Sequence, residues 1–230
     1  MRWVLSCFFV LSLMGTSRAE QRFESFDRDP GWDAHHNRSL YPETIRQDFG
    51  YSADTAHVGG ARGEVGGTIQ PAAEAAYFAL PLTGLSLQTP FSASGKLFVQ
   101  KGGGHFLLGF FNDSTQNEWR TPNTAVFRII QRGEIFYCYP EYPRGYQGAP
   151  RIYPDGTSHS WTLEYLPVNS ATPARMVVTL DGQRVEQEVP AAVLTENLVF
   201  DHFGLVTPWI DGNGQTVYFD DIDYTVCQEK

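Results

Sequence analysis

Short runs of β-branched and aromatic residues, separated by Gly, Pro, Asn and Asp, recur along the whole chain of 230 residues. No segment carries apolar residues at every third and fourth position over three helical turns, which is the pattern of an amphipathic helix. Runs of this kind, bounded by turn-forming residues, are typical of β-strands. The sequence therefore predicts an all-β protein.

About a dozen strands are expected from this pattern. They lie near residues 23–26, 64–70, 77–82, 91–100, 105–112, 125–131, 134–139, 159–166, 175–180, 184–189, 203–207 and 216–225. Asp181-Gly182 and Arg132-Gly133 are predicted to form tight hairpin turns. Strands this short and this evenly spaced indicate a two-sheet antiparallel jelly-roll β-sandwich. Residues 20–230 fit a single domain, because all-β sandwiches reach this size without splitting.

The alternation of side chains distinguishes buried from exposed faces. Trp161, Leu163 and Tyr165 share one face of a strand, so that strand has one apolar and one polar face. Residues 106–111 are apolar on both faces and are predicted to lie in the centre of a sheet. The polar stretch 27–56 is predicted to be a long ordered loop.

The first residues have the composition of a secretory signal peptide. Arg2 precedes an apolar stretch from Trp3 to Met14, and Ser17-Arg18-Ala19 is a small-x-small cleavage site. Cleavage after residue 19 removes two arginines and no acid, which moves the formal net charge from −9 to −11. We therefore expect a secreted or extracytoplasmic monomer with no transmembrane segment. Its acidity disfavours nucleic acid as a partner.

Two cysteines, Cys138 and Cys227, remain after the predicted cleavage. In an exported protein they are able to form one disulfide. Two small buried apolar side chains are the equal alternative.

Acidic residues mark both ends of the predicted sandwich. Glu24 lies in the first predicted strand, and Asp220, Asp221 and Asp223 lie in the last. If these strands pair, the carboxylates converge, and oxygen ligands of this kind suit calcium. Strict alternation places Asp220 on an apolar face with Ile222. Solvated edge acids, or an Asp that caps backbone amides, are the alternatives.

Several runs together resemble concanavalin A-like lectins and glucanases. These runs are Gly109-Phe110-Phe111-Asn112, Trp119-Arg120, Phe127-Arg128-Ile129, the hairpin 176–189, Phe203-Gly204-Leu205 and Tyr218-Phe219-Asp220-Asp221-Ile222. The resemblance covers most of the chain after residue 19, and it implies a jelly-roll sandwich that binds or cleaves glycans. In the carbohydrate-binding jelly rolls of this kind, acids at matching places hold a structural calcium, which implies Glu24, Asp220 and Asp221 as ligands.

The chain departs from the enzymes of that superfamily. Their Glu-x-Asp-x-Glu pattern does not occur, and residues 63–67 supply a single acid, Glu64. Retaining glycoside hydrolysis needs two closely placed carboxylates. The departure argues against ordinary glucanase chemistry, and the fold by itself does not establish a function.

A set of polar and aromatic residues on consecutive predicted strands suits a sugar ligand, because aromatic rings stack on sugar rings while Arg and Asn bond hydroxyl groups. The predicted ligand contacts are His105, Asn112, Trp119, Arg120, Arg128 and Tyr137. Arg128 is placed between Phe127 and Ile129 and projects from the face opposite to theirs, where a charge must meet water, an acid or a ligand. The alternative is that the aromatic residues pack and that Arg128 pairs with an acid such as Glu134. The favoured function is therefore binding of a poly- or oligosaccharide.

The second hypothesis is a polysaccharide hydrolase or lyase with nonstandard catalytic residues. Glu64 is then the acid or base, with His57 or His105 as its partner, because the glycine-rich segment 57–67 lets charged groups approach a ligand closely. Glycines that serve only sheet packing are the alternative. A third hypothesis is a surface or matrix protein without glycan activity. His35, His36 and His202, with Asp33 and Asp201, raise the possibility of a transition-metal site. Adjacent histidines on a strand point apart, so these three are interpreted as loop histidines instead.

Overall fold

The protein is described from a computed structural model, which describes residues 18–38, 46–71, 75–101, 105–114, 123–132, 135–141, 150–207 and 214–228. In chain order its elements are β1 (Arg18–Glu24), β2 (Asp33–His35), β3 (Asp48–Ser52), β4 (Glu64–Ile69), β5 (Ala76–Ser86), β6 (Phe91–Lys101), β7 (His105–Phe111), β8 (Thr124–Arg132), β9 (Ile135–Glu141), β10 (Arg151–Ile152), β11 (Ser158–Leu166), β12 (Arg175–Leu180), β13 (Gln183–Glu188), the short helix α1 (Ala191–Leu194), β14 (Val199–Thr207) and β15 (Gln215–Gln228). Among the described residues, no helix has the length and apolar character needed to cross a membrane.

The strands form two antiparallel sheets. Sheet A has the order β13-β12-β11-β6-β15-β4-β3, and β1 pairs with the second half of β15. Sheet B has the order β10-β9-β8-β7-β14-β5-β2. The two-sheet jelly-roll sandwich predicted from the sequence is confirmed, and β7 lies between β8 and β14, inside its sheet as predicted.

The two sheets pack through their inner faces. Trp161, Leu163 and Tyr165 of β11 are buried in the main core, which confirms the alternation seen in the sequence. In β7, Leu108 and Phe110 face this core, whereas Leu107 and Phe111 belong to a separate apolar cluster. Sheet B is therefore apolar on both sides at its centre.

The turn between β12 and β13 forms as its sequence predicts. Asp181 and Gly182 both have positive φ, at 46° and 81°. This is the backbone of the two-residue hairpin turn that Asp-Gly favours. A turn of this kind fixes the register of the strands on either side.

The polar stretch 27–56 is not one long loop, as the sequence suggested. It contains β2 at the edge of sheet B and β3 at the edge of sheet A. Both strands are short, and β3 carries two adjacent buried residues, Phe49 and Gly50. Edge strands this short lack the sustained alternation that sequence analysis detects.

The two ends of the described chain meet as neighbouring strands. In the β1–β15 ladder, Arg18 lies opposite Gln228 and Glu24 lies opposite Ile222. Arg18 and Ala19 of the predicted signal peptide begin β1, and the rest of residues 1–19 lie outside the described residues. The predicted convergence of the chain ends is confirmed.

The prediction that Asp220 shares a face with Ile222 was wrong, because β15 contains a β-bulge. The partners of β15 on β6 change from Asp220–Lys96 to Asp223–Ser94, so β15 carries one extra residue there. Asp221 has a φ of 51° at this point. The bulge reverses the alternation. Ile222 therefore joins Phe219 in the core, while Asp220 stays on the outer face with Tyr218.

Cys227 is a free, partly buried thiol in β15 of sheet A, and burial raises its pKa. Cys138 lies in β9 of sheet B, opposite Ile129. The two cysteines thus belong to different sheets.

Candidate functional site

The outer face of sheet B is the side that turns away from the main core. A second apolar cluster covers its centre, formed by Ala75, Ala79, Leu107, Phe111, Val126 and Val206, with Tyr77 packed against it. All six residues of this cluster are buried, although they do not face the other sheet. These six side chains form an apolar floor on the outer face of sheet B, and polar side chains of the same sheet lie next to it.

Four rings meet on this floor, and they are called the histidine–tyrosine cluster below: His35, Tyr77, Phe111 and His202. The ring of Tyr77 stacks with that of His35 at 5.2 Å between centroids and lies 5.0 Å from that of His202. His202 in turn stacks on Phe111 at 5.4 Å. The cluster joins the strands β2, β5, β7 and β14, which are neighbours in sheet B.

A β-bulge in the ladder between β14 and β5, where two residues of β14 span four of β5, accompanies two consecutive polar residues of β14 that face outward. The register between β14 and β5 shifts between Phe200 and His202. Phe200 and Phe203 both belong to the main core, so Asp201 and His202 between them turn outward together. A bulge re-aims side chains in this way.

Acidic groups fix and surround the cluster. The Asp201 Oδ1 atom lies 2.7 Å from His202 Nδ1 and accepts a hydrogen bond of 2.9 Å from the backbone N–H of Asp113. Burial, together with the charges of Asp113, Asp33 and Asp201, raises the pKa of Tyr77. The Tyr77 hydroxyl is therefore protonated at neutral pH and can donate a hydrogen bond to a ligand.

Arg128 brings a positive charge to the same sheet. It lies in β8 with only 7% of its surface exposed, and its register partners are Leu107 of β7 and Tyr139 of β9. Its neighbour in the outward alternation, Val126, belongs to the outer-face cluster. Arg128 therefore projects opposite to Phe127 and Ile129, as the sequence predicted.

Other predicted ligand residues fall at adjacent register positions. Ile130 of β8 lies opposite His105 of β7 and opposite Tyr137 of β9. Asn112 follows β7 and is engaged locally, since its Nδ2 donates to the Val199 carbonyl at 3.2 Å and its Oδ1 accepts from the Ser114 N–H. Trp119 and Arg120 lie outside the described residues. The structure thus gathers His105, Arg128 and Tyr137 on three consecutive strands.

The predicted catalytic residues divide between the two sheets. Glu64 and His57 meet on the outer face of sheet A, with His57 Nδ1 2.6 Å from Glu64 Oε1. His105 belongs to β7 of sheet B. Arg128 belongs to the neighbouring strand β8 of the same sheet. Of the two histidines, His57 is the one that contacts Glu64.

The predicted calcium ligands do not form one ligand set. Glu24 accepts from Arg22 at 2.8 Å, and Asp221 pairs with Lys96 at 2.5 Å. Asp220 accepts the backbone N–H of Asp221 at 2.8 Å, which is the amide-capping alternative considered above. Within the part of the chain that the structure describes, Asp113, Asp201 and His202 are the one group of three or more such residues whose ligand atoms lie within 4.8 Å of one another.

Sequence reasoning missed Tyr77, and it set aside Asp201 and His202 as site residues. His202 is not a loop histidine, because it lies inside β14 and is only 8% exposed. The rings of His35 and His36 also do not point apart. Their centroids are 4.0 Å apart, since His36 leaves the strand with a φ of 54°. Two adjacent polar residues between Phe200 and Phe203 were the available signal of a bulge.

No protein-family model matches the sequence, and no curated protein matches it. Solved structures match its fold. The CBM2 module of an evolved Dit protein from Lactobacillus casei BL23 phage J-1 is 10% identical over 93% of this chain and 98% of that one, with a TM-score of 0.51. Peanut lectin is 12% identical over 93% and 100% of the two chains, with a TM-score of 0.48. An alginate lyase from Pseudomonas aeruginosa is 11% identical over 86% and 98%, also at 0.48.

The chain therefore has a jelly-roll β-sandwich fold, like that of the phage module. At these identities the likeness shows the fold alone, because one fold hosts many functions. What the protein does has to be argued from the residues of its outer faces.

Proposed function

We propose that the protein is a secreted carbohydrate-binding β-sandwich, which recognises a poly- or oligosaccharide on the outer face of sheet B. One observation carries the proposal. The histidine–tyrosine cluster and the buried Arg128 lie on one sheltered sheet face that is apolar at its centre.

The chemistry of this face suits a sugar. Binding sites for small ligands are mostly apolar, with a few convergent polar groups that fix orientation. The apolar side of a sugar ring packs on aromatic rings such as that of Tyr77. The Tyr77 hydroxyl can in addition form a hydrogen bond with the sugar. Arg128 supplies several N–H donors in a fixed plane, which suit hydroxyl or carboxylate oxygens. The register positions of His105 and Tyr137 extend the face beyond Arg128.

Glycan-array binding followed by calorimetry tests this proposal. We expect Tyr77→Ala and Arg128→Gln each to weaken binding of the selected glycan at least tenfold. Tyr218→Ala is the matched control, because Tyr218 is a partly buried tyrosine on the outer face of sheet A. Unchanged binding in both sheet B variants would remove the proposed site. A protein that binds no glycan on the array would instead fit the third hypothesis, a surface or matrix protein.

A second candidate function, a polysaccharide hydrolase or lyase, is favoured by the pair Asp201–His202. The carboxylate of Asp201 engages His202 Nδ1, and the Tyr77 ring lies 5.0 Å from the His202 ring. A histidine oriented by a carboxylate and next to a tyrosine is suited to proton transfer. Incubation with a polysaccharide panel, with reducing ends and ultraviolet absorbance as readouts, tests this activity. Full activity in His202→Gln would exclude it.

Calcium belongs to the proposal as a structural ion. Asp113 and Asp201 offer the carboxylate oxygens that calcium prefers, whereas the imidazole of His202 is a ligand more typical of transition metals. The carboxylates at the chain ends, those of Glu24, Asp220 and Asp221, are the alternative location for the ion.

We further propose that the protein is secreted and monomeric. Residues 1–19 have the composition of a signal peptide, so we expect the exported protein to begin at Glu20. Mass spectrometry of the exported protein tests this, and light scattering tests whether it is a monomer.

A further inference from the structure

A fully buried carboxylate lies on the outer face of sheet A, away from the proposed glycan site. Glu64 begins β4 and is 0% exposed. Its Oε1 accepts the backbone N–H of His57 and its Oε2 accepts that of Val58, each at 3.0 Å. These hydrogen bonds offset the cost of burying the charge. They also fasten the segment before β4 onto the sheet.

The same carboxylate orients an imidazole. His57 Nδ1 lies 2.6 Å from Glu64 Oε1, and the His57 ring stacks on Tyr218 at 3.9 Å between centroids, with 11° between the planes. The side chain of His57 is 28% exposed. Among the described residues Nε2 has no hydrogen-bond partner, so the second ring nitrogen is left for a ligand. A carboxylate bonded to one nitrogen fixes the tautomer in which the other nitrogen accepts a proton.

We propose that His57, positioned by Glu64, is the general base of a second site that hydrolyses acyl esters of alcohols. Nε2 takes a proton from a water molecule, and the water oxygen forms a bond to the ester carbonyl carbon. The bond between that carbon and the alcohol oxygen then breaks. The protonated Nε2 returns its proton to the leaving oxygen, so a carboxylic acid and an alcohol are released and His57 regains its initial state.

The residues present favour an ester over a glycoside as the substrate. Glycoside hydrolysis needs a carboxylic acid and a second free carboxylate on either side of the bond. Glu64 is not such a group, because its oxygens are already occupied by His57 and Val58 and it is fully buried. A single imidazole base is sufficient for attack of water on an ester carbonyl.

Two neighbours stabilise the charged form of His57 that the reaction creates. Glu64 places a negative charge against Nδ1, and the face of the Tyr218 ring attracts a cation. Glu64 and Tyr218 are thus positioning residues, and His57 is the residue that contacts the substrate. The site shares no residue with the glycan face of sheet B, so either can fail without the other.

His159 provides a matched control within the same protein. It is also bonded through Nδ1 to a carboxylate, Asp181, at 2.6 Å. Its Nε2, however, lies 3.3 Å from Thr157 Oγ1 and 3.4 Å from Asp155 Oδ1. Both ring nitrogens of His159 thus have partners. His159 therefore shares the carboxylate pairing of His57 but has no ring nitrogen left to act as a base.

The test measures hydrolysis of p-nitrophenyl acetate and of glucose pentaacetate by the full chain. We expect His57→Gln to lower the rate about 100-fold, the lower end of what general base catalysis contributes. Glu64→Gln is expected to lower it about tenfold to 100-fold, as for groups that orient a reacting histidine. His159→Gln is expected to leave the rate unchanged.

Two further measurements separate catalysis from folding. Imidazole added to His57→Ala is expected to restore turnover, which a purely structural histidine would not allow. Nitrogen NMR of the His57 ring is expected to show a proton on Nδ1 in the wild type and a mixture of tautomers in Glu64→Gln. A wild-type rate no higher than that of His57→Gln, or an equal loss in His159→Gln, would overturn the proposal.

Discussion

The rings of Phe203 and Tyr224 stack across the interior of the sandwich, with centroids 4.3 Å apart and planes 8° apart. Phe203 belongs to β14 of sheet B and Tyr224 to β15 of sheet A. Trp32 packs edge-on against both rings, at 6.0 Å and 5.9 Å. This contact joins the two sheets at the point where the chain ends meet.

Loss of one of these rings should destabilise the protein strongly. Phe203→Ala removes a fully buried ring, and we expect the free energy of unfolding to fall by about 3–5 kcal/mol. Tyr224→Phe is the matched mild change, because it keeps the ring and removes a hydroxyl that lies 3.4 Å from Glu24 Oε1. We expect a loss of about 1 kcal/mol. Urea denaturation measures both, and equal losses would contradict the stacking account.

Gly63 should tolerate no side chain. Its φ is +109°, and a Cβ added there would lie 2.0 Å from the Phe26 carbonyl oxygen. Gly59 has a similar φ of +94°, but a Cβ there would meet nothing within 4 Å. Gly59→Ala therefore reports backbone strain alone, about 1–2 kcal/mol. We expect Gly63→Ala to cost several-fold more in thermal denaturation, and similar losses would show that the close approach to Phe26 is unimportant.

Asp220 should make stability depend on pH. Burial, with smaller contributions from Asp221 and Glu64, raises its pKa to about 6 from the usual 3.8. A group whose folded pKa is raised stabilises the fold below its unfolded pKa, and this stability is lost as pH rises through the folded value. The relevant window is therefore pH 4 to 6, and we expect about 2 kcal/mol of loss across it.

Asp220→Asn tests the origin of this loss, since it keeps the shape of the side chain and removes its charge. We expect the variant to lose less stability than the wild type between pH 4.5 and 7.5 in urea denaturation. Asp223→Asn is the control, because it removes the charge of an exposed aspartate on the same strand. An unchanged pH slope in Asp220→Asn would assign the effect to another group.

Calcium should stabilise the protein through the carboxylates near His202. We expect EDTA to lower the thermal midpoint, calcium to restore it, and Asp201→Asn to abolish the difference. Asp220→Asn should keep the calcium response, because the structure does not bring Asp220 together with Glu24. The opposite pattern would return the ion to the chain ends, and no calcium effect in the wild type would exclude a structural calcium.

Much of the fold could be predicted because its signals are local. The Asp181-Gly182 pair carries its own turn conformation, and the alternation of Trp161, Leu163 and Tyr165 needs only one buried face. The pairing of the chain ends was also accessible, since both carry strand-forming residues around acids.

The site was less predictable because it depends on two β-bulges. At the bulge in the β14–β5 ladder, where two residues of β14 span four of β5, Asp201 and His202 turn to the same side, and one extra residue in β15 separates Asp220 from Ile222. Strict alternation, the rule used along the sequence, assigns the wrong face on one side of each bulge. The contact between Tyr77 and His202 also depends on pairing between distant strands, which no local pattern contains.

Strand β15 has consequences for the order of folding. It pairs with β6 along one side and with both β4 and β1 along the other, so it completes sheet A at its centre. The partners Arg18 and Gln228 lie at opposite ends of the described chain, and contacts so distant in sequence close slowly. During synthesis, β4 and β6 therefore lack the strand that lies between them until β15 has been synthesised. Until then, the edges of β4 and β6 lack a partner and are open to pairing with other chains. We therefore expect chaperones to bind the folding chain at these two edges.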